Sequence, residues 1–215
     1  MSLAYLIGKA SSKPLKVNPN IPVLLVLSIL PDIDIAFQTI TGTTLHRGPT
    51  HSLVVALIIF APFFVLYGKR AVPYFLAFAS HFLGDFFIGG QLQLFWPITN
   101  SNFGFHELGF MYIDIYSNIN IAIELTLFTA ALAVMAKTGD YRVFFRNDKT
   151  NLVLIIPIAT VLFPAFVGYP FAEPLFLFLP LMGVAHLFFL IIFGISVLIV
   201  LYSLVKKALT RRLIF

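Results

Sequence analysis

Residues 175–204 read LFLFLPLMGVAHLFFLIIFGISVLIVLYSL, thirty positions without an Asp, Glu, Lys or Arg. A helix needs about 20 apolar residues to cross the hydrocarbon core of a bilayer, so this stretch is long enough for one crossing. Further apolar runs lie at about 21–37, 51–67, 71–90, 118–136 and 152–168. The sequence therefore predicts an all-α, polytopic transmembrane helical bundle of about six spans.

The composition excludes an ordinary soluble domain. Of the 215 residues, 60% are hydrophobic and 11% are charged, whereas soluble domains are roughly 25% charged. The chain has no Cys, which excludes disulfides and thiolate metal sites. Because no repeat or long linker divides the sequence, residues 1–215 are predicted to form a single transmembrane domain. Its motifs lie within 25–125, and apolar helices follow at 150–205.

The basic residues predict how the chain is oriented. Thirteen of them fall in alternate connections between the predicted spans: Lys9, Lys13, Lys16, Lys69, Arg70, Lys137, Arg142, Arg146, Lys149, Lys206, Lys207, Arg211 and Arg212. The opposite connections hold only Arg47. The positive-inside rule then places both termini in the cytoplasm. Because the net charge of +5 follows topology, we expect membrane lipid rather than nucleic acid as the partner. The sequence does not determine the oligomeric state.

The predicted extracytoplasmic side collects His and acidic residues, beginning with His81-Phe-Leu-Gly-Asp85 in the third span. A four-residue spacing puts the imidazole and the carboxylate on one helical face, about one turn apart. Two such ligands from one rigid helix suit a divalent metal ion, and Asp85 could alternatively orient His81 from behind. A plain hydrogen bond between helices is the competing interpretation.

The run His46-Arg-Gly-Pro-Thr-His51-Ser is the densest polar stretch. Gly48 and Pro49 predict a turn, after which Thr50 or Ser52 can cap the second span. His46 and His51 can therefore converge. Arg47 beside them is suited to a phosphate-containing substrate, or to lipid headgroups if the run is only an interfacial turn.

Carboxylates from two further segments complete the set. Asp32 and Asp34 follow Pro31, and at i and i+2 they cannot share a face of one α-helix. Either Pro31 loosens the helix end or only one of the two is a ligand. Glu124 lies about two turns into the fourth span, as a ligand, a general base or an interhelical partner. Carboxylates combined with imidazoles favour zinc, with manganese or iron as alternatives.

Four other polar residues have no assigned role at this stage. His106 and Glu107 are expected to be solvated loop residues, and Asp114 belongs to the same connection. His186, alone in the sixth span, is expected to be a hydrogen-bonded packing residue. Whether any of them is functional is left open by the sequence.

Three motifs together resemble a known family: Leu30-Pro31-Asp32-Ile33-Asp34, His46-Arg47-Gly48-Pro49-Thr50-His51-Ser52 and His81-Phe82-Leu83-Gly84-Asp85, followed by Trp96-Pro97. They resemble the YdjM-type membrane-bound metal-dependent hydrolases, prokaryotic inner-membrane proteins described as LexA-binding hydrolases and distantly similar to zinc-dependent phospholipase C. The resemblance implies a multi-pass protein of the inner (plasma) membrane that hydrolyses a phosphoester. It implies the metal ligands Asp34, His46, His51, His81 and Asp85.

Two departures from the family pattern lower the expected number of ions. Many relatives carry a Thr-His near the N-terminus, where this chain reads Ser2-Leu3-Ala4-Tyr5. The late His-xxx-Glu of soluble phospholipase C-like enzymes is also missing. One or two ions are therefore expected rather than three.

The first function that this pattern predicts is hydrolysis of a lipid or lipid-linked phosphoester at the extracytoplasmic face. A bound metal ion would activate water, Asp32 or Glu124 could accept a proton, and Arg47 could stabilise charge on the phosphoryl oxygens.

Two other functions are compatible with the sequence. The His and Asp groups could carry a cation or proton as part of a transporter, although the inner halves of the spans are almost purely apolar. A non-catalytic membrane scaffold or regulator would use the basic loops and would leave the His/Asp cluster unexplained.

Overall fold

The structure, a computed structural model, describes residues 1–35, 46–168 and 173–212. Within these residues the principal helices are α1 Ser2–Leu15, α2 Ile21–Leu27, α3 Leu53–Tyr67, α4 Val72–Phe87, α5 Asn118–Thr138, α6 Lys149–Val167 and α7 Pro180–Arg212. Shorter helical turns are Pro49–His51, Gly68–Arg70, Asp140–Phe145 and Leu175–Phe178. Within these ranges the only β-type pairing is an isolated bridge between Leu92 and Phe103. The predicted all-α class is confirmed.

In the part of the chain that the structure describes, four helices are long and apolar enough to cross a membrane: Leu53–Arg70, Asn118–Thr138, Lys149–Val167 and Pro180–Thr210. They overlap four of the predicted spans, those at 51–67, 118–136, 152–168 and 175–204. Their mean hydropathy lies between 1.8 and 2.9, and most of their residues face outward. Since an outward apolar surface needs lipid as its solvent, the protein is a multi-pass membrane protein.

The other two predicted spans are shorter helices. The predicted span 21–37 is helical over Ile21–Leu27, continues as turns to Asp32 and is helical again at 33–35, and positions 36–37 lie outside the described residues. The predicted span 71–90 corresponds to α4, whose 16 residues extend about 24 Å, less than the roughly 30 Å of a hydrocarbon core. Six spans therefore stay a prediction.

Helix α1 is an element to which the sequence analysis assigned no span. It packs against α4 and α5, and its Tyr5 is fully buried. A Cβ added to Gly8 would lie 2.9 Å from a methyl carbon of Leu24, so glycine allows α1 and α2 to approach closely. Met1 lines a cavity in the interior. The cytoplasmic location of the N-terminus stays a prediction.

The basic segments meet at one end of the bundle. Side-chain contacts join them in four places: Lys9 with Asp140 at 2.7 Å, Asn20 with Tyr74 at 2.8 Å, Asn20 with Thr150 at 3.1 Å, and Asn147 with Ser203 at 2.6 Å. We call this the basic end, formed by residues 9–20, 68–74, 137–150 and 203–210. Its formation agrees with the alternation of basic residues read from the sequence.

Candidate metal centre

The end of α2 exposes a backbone carbonyl that positions a histidine. Helix α2 stops at Leu27 and the chain continues in three-residue turns, in which the N–H of Asp32 bonds to the carbonyl of Ile29 at 3.1 Å. In a continuing α-helix that N–H would bond to Ser28. The Ser28 carbonyl instead lies 2.8 Å from Nδ1 of His81.

This contact fixes the tautomer of His81. A carbonyl oxygen only accepts, so Nδ1 of His81 carries a proton, and in the neutral ring the lone pair is then on Nε2. A histidine ligand commonly has this arrangement, with its other ring nitrogen held by a carbonyl. Ser28, a residue that the sequence analysis did not single out, therefore orients the His81 ring.

His51 is positioned by the turn that precedes α3. It ends the short helix Pro49–His51 and is completely buried. Ser52 caps α3 by accepting from the N–H groups of Val54 and Val55, which confirms one of the two predicted caps. The hydroxyl of Ser52 also donates to the carbonyl of Trp96 at 2.6 Å. The cap and this bond together fix where the His51 backbone lies.

Four donor atoms from three segments converge at the centre. Nε2 of His51 lies 3.1 Å from Nε2 of His81, 3.5 Å from Oδ1 of Asp32 and 3.4 Å from Oδ2 of Asp85. Nε2 of His81 lies 3.2 Å from Asp32 Oδ1 and 3.4 Å from Asp85 Oδ2. We call these four residues the inner group. Three of them, Asp32, His51 and His81, have ligand atoms close enough together to hold a metal ion.

Five separations within the inner group are of the size expected for ligands that share one metal ion. Ligands about 2.0–2.1 Å from zinc stand about 3.3–3.4 Å from one another in a tetrahedron, and the observed separations are 3.1–3.5 Å. Oδ2 of Asp85 is buried and has no hydrogen-bond partner among the described residues. Imidazole nitrogens and carboxylate oxygens that face one another form a donor set suited to a cation, so the residues fit a metal ion.

A second group lies on the other side of the His51 ring. Oδ2 of Asp34 is 3.3 Å from Nδ1 of His51, and Oδ1 of Asp34 is 3.1 Å from Nδ1 of His46. The hydroxyl of Thr50 donates to Asp34. Asp34, His46 and His51, which we call the outer group, could also hold an ion. The two groups share His51 through opposite ring nitrogens.

The two carboxylates after Pro31 therefore both reach His51. The sequence analysis noted that Asp32 and Asp34 could not share one face of an α-helix, and the structure resolves this by ending α2 before them. Asp32 was predicted to accept a proton, whereas its carboxylate lies among the inner donors. Asp34 and His46 were predicted as ligands, and they lie behind His51 rather than beside His81.

A cavity of about 620 Å³ opens on the inner group. Asp32, His81 and Asp85 lie on its wall. Glu124 of α5 and His186 of α7 line the same cavity. Glu124 is thus in the place where a proton acceptor or donor could reach a substrate at the inner group. His186, which was expected to be a packing residue, also faces this space.

Helix α6 contributes an irregular segment to the cavity wall. Ile158–Leu162 forms a π-helix between Pro157 and the α-helical Phe163–Val167. Within it, residues 159–161 line the cavity. Wide π turns inside helices often mark functional sites, and the sequence analysis did not detect this one.

Arg47 lies against the turn that follows α4. Its backbone φ is 63°, and its Nη1 donates to the carbonyl of Gly90 at 2.7 Å. A Cβ on Gly89 would lie 2.6 Å from Nη2, so the glycine makes room for the guanidinium. Among the described residues, Arg47 is not part of the lining of the 620 Å³ cavity. The geometry gives it a role in holding the turn next to Asp85.

The loop residues of the same region have different surroundings. The Glu107 carboxylate lies between Gly90 and Gly104, whose added Cβ atoms would clash with it, and its Oε2 is buried. His106 is exposed, as expected, whereas Glu107 is not fully solvated. Asp114 caps a turn by accepting from the N–H of Tyr116 at 2.7 Å. His106 and Asp114 do not belong to either candidate metal group.

The fold and the site define the class of protein. This is a multi-pass helical membrane protein with a buried His/Asp cluster that could hold a metal ion. The family model of the YdjM inner membrane protein matches residues 1–209. The chain belongs to the YdjM inner membrane protein family, and it is an inner-membrane protein. Comparison with curated proteins and with solved structures gave no match.

Proposed function

We propose that the protein is a metal-dependent hydrolase that cleaves a phosphoester of a lipid or lipid-linked substrate. The observation that carries this proposal is the convergence of His51, His81, Asp32 and Asp85 on one point at the wall of a cavity. Two neutral imidazoles and two carboxylates form a typical N/O donor set for zinc, with manganese or iron as alternatives.

A divalent ion held by the inner group would supply a water of lowered pKa and polarise a phosphoryl oxygen. The chain's own residues supply the rest. Ser28 holds the His81 ring through Nδ1, and Asp34 and Thr50 contact Nδ1 of His51. These contacts keep both Nε2 atoms directed at the same point. We propose a single ion in the inner group, with the outer group orienting His51.

Glu124 is the residue that we propose for proton transfer. It lines the cavity on α5, separate from the donors on α4 and after α2. In hydrolysis the water oxygen bonds to phosphorus, the bond to the leaving oxygen breaks, and the water proton must pass to the leaving oxygen. Glu124 can accept that proton and return it, which leaves Asp32 free to serve as a ligand.

The environment of the cavity supports an amphiphilic substrate. Apart from the polar residues named above, its lining is mainly apolar, with Leu175, Leu179 and Met182 as examples. Helices α5, α6 and α7 form this wall and also have outward apolar surfaces. A lipid could therefore enter between helices with its phosphate directed at the inner group and its chains among apolar side chains.

We also propose that the basic end faces the cytoplasm and that the chain crosses six times. The contacts that gather Lys9, Asp140 and Ser203 at one end support this orientation through the positive-inside rule. A reporter fused after the last residue should be active in the cytoplasm. Activity on the periplasmic side would overturn the orientation and leave the metal proposal untouched.

Metal analysis of purified protein tests the site. We expect near-stoichiometric zinc or manganese in the wild type and loss of most of it in His81→Ala and in Asp85→Ala. His106→Ala is the matched control, because His106 is an exposed imidazole outside both groups. Equal metal content in all four proteins would remove the hydrolase proposal.

Hydrolysis is tested separately with Glu124→Gln. We expect release of phosphate or phosphoalcohol from lipid phosphoesters by the metal-loaded wild type. The Glu124→Gln variant should retain its metal and lose most of that activity. If the wild type binds metal and transports it across the proteoliposome membrane, but hydrolyses no lipid phosphoester, the protein would be a transporter instead.

A further inference from the structure

A second, larger cavity lies on the other side of the segment that follows α2: Leu30, Pro31 and Ile33 line it, whereas Ser28, Asp32 and Ile35 line the inner group's cavity. It has a volume of about 990 Å³ and forms a groove whose walls are α2 and α3 and whose floor is α4. Both α2 and α3 pack against α4. The walls are apolar, with Val23 and Leu27 on one side, Ile59 and Phe63 on the other, and Phe78 below.

One end of the groove carries two cations. Lys16 follows the end of α1 and Arg70 follows the end of α3, and both line the groove at the basic end. Both side chains are exposed. Neither forms an ion pair with a carboxylate within the described part of the chain. Their charges are therefore available to an anion.

The other end of the groove reaches the outer group. Pro49 and Thr50 line it there, and Thr50 is the residue whose hydroxyl donates to Asp34. The groove contains none of the inner donors among its lining residues. The groove is thus a separate site, and one end of it lies next to Thr50, which contacts Asp34 of the outer group.

The length of the groove matches one lipid tail. Along α3 it extends from Val55 to Tyr67, which is about 18 Å at 1.5 Å per residue. One leaflet contributes about half of a 30 Å hydrocarbon core, or about 15 Å. A chain that starts from a headgroup at Lys16 and Arg70 would reach the region of Pro49.

We infer that this groove binds an anionic phospholipid of the cytoplasmic leaflet, with its phosphate between Lys16 and Arg70 and one acyl chain along α2 and α3. Anionic lipids are attracted to Lys and Arg at that surface, and an apolar groove in a bilayer is filled by hydrocarbon rather than water. The choice of the cytoplasmic leaflet rests on the proposed orientation of the basic end, and the inference does not depend on hydrolysis.

Native mass spectrometry of the full-length protein in detergent, titrated with phosphatidylglycerol or phosphatidylcholine, tests this inference. We expect one tightly bound phosphatidylglycerol per chain and weaker phosphatidylcholine binding. The double variant Lys16→Gln/Arg70→Gln should weaken phosphatidylglycerol binding about 10- to 30-fold. Ile59→Trp, which fills the groove from an exposed position, should weaken binding of both lipids.

The matched control is Lys13→Gln/Lys69→Gln, which removes the same charge from neighbouring residues that do not line the groove. It should bind phosphatidylglycerol as the wild type does. Equal loss in the control, or equal affinity for the two lipids, would overturn the inference. A dimer that Ile59→Trp dissociates would identify a second copy as the occupant and would also overturn it. Metal content, measured in parallel, reports separately on the proposed function.

Discussion

His81 and His186 line the same cavity and differ in what surrounds their second ring nitrogen. Each has Nδ1 close to a backbone carbonyl, Ser28 at 2.8 Å for His81 and Met182 at 2.9 Å for His186. Nε2 of His81 then lies close to donor atoms of His51, Asp32 and Asp85, whereas His186 belongs to neither metal group in the described ranges.

The difference comes from which segment supplies the carbonyl. Met182 lies four residues before His186 on the same helix, so that contact only holds the ring along its own helix. Ser28 lies on another segment, and its contact ties α4 to the end of α2, where Asp32 follows. A buried histidine therefore indicates a ligand only when its partner also brings further donors.

The largest effect should come from His51→Ala, which breaks both groups at once. Nε2 of His51 contacts three inner donors and Nδ1 contacts Asp34. We expect metal binding to weaken by on the order of 100-fold or more, since loss of a ligand should exceed the 10- to 100-fold cost of losing an orienting partner. Metal competition with a chromogenic chelator measures this loss. Unchanged affinity would show that His51 resembles His186.

A smaller loss is expected for Asp34→Asn. Asp34 is 1% exposed and contacts Nδ1 of His51, Nδ1 of His46 and the hydroxyl of Thr50. If Asp34 orients His51 from behind, metal affinity should fall by about 10- to 100-fold with one ion still bound at saturation. A fall from two ions to one would instead show that the outer group binds an ion of its own.

Asp140→Asn should reduce stability without altering the metal site. Asp140 follows α5 at the basic end, and although burial alone would raise the pKa of its carboxyl, hydrogen bonds from Lys9 and Tyr5 hold it below the usual value. A lowered pKa means that the stabilisation is present at neutral pH and is lost as the pH falls through that pKa. We expect a loss of about 1 kcal/mol at pH 7 for this partly exposed pair.

Thermal unfolding in detergent at pH 7 and at acidic pH measures this effect. The difference between the wild type and Asp140→Asn should shrink at the lower pH, while metal content at pH 7 stays equal. A difference that is the same at both pH values would show that the carboxylate charge contributes nothing.

The smallest effect on metal is expected for His186→Gln. The glutamine keeps a polar side chain in the cavity, and the histidine has no contact with the inner group. Metal affinity should be equal to that of the wild type within error. Metal loss comparable to that of His51→Ala would show that His186 reaches the ion and would remove the contrast on which these predictions rest.

Much of the architecture was predictable from the sequence because lipid imposes simple length and charge rules. The apolar runs around Leu53, Asn118, Lys149 and Pro180 correspond to helices long enough to cross a membrane. The polar motifs predicted the members of the candidate site: His46, His51, His81, Asp85, Asp32 and Asp34. The exact arrangement was not predictable, because it depends on where α2 ends and on which carbonyl that end leaves unpaired.

The sequence by itself determined that this is a helical membrane protein with a clustered His/Asp motif set, since composition and local spacing suffice for that conclusion. Only the tertiary structure decided which ring nitrogens face one another, that Asp32 joins the inner group while Asp34 lies behind His51, and that Arg47 contacts the Gly89–Gly90 turn. The physical reason is that these distances join residues far apart in the chain, and their approach depends on helix packing that local patterns do not encode.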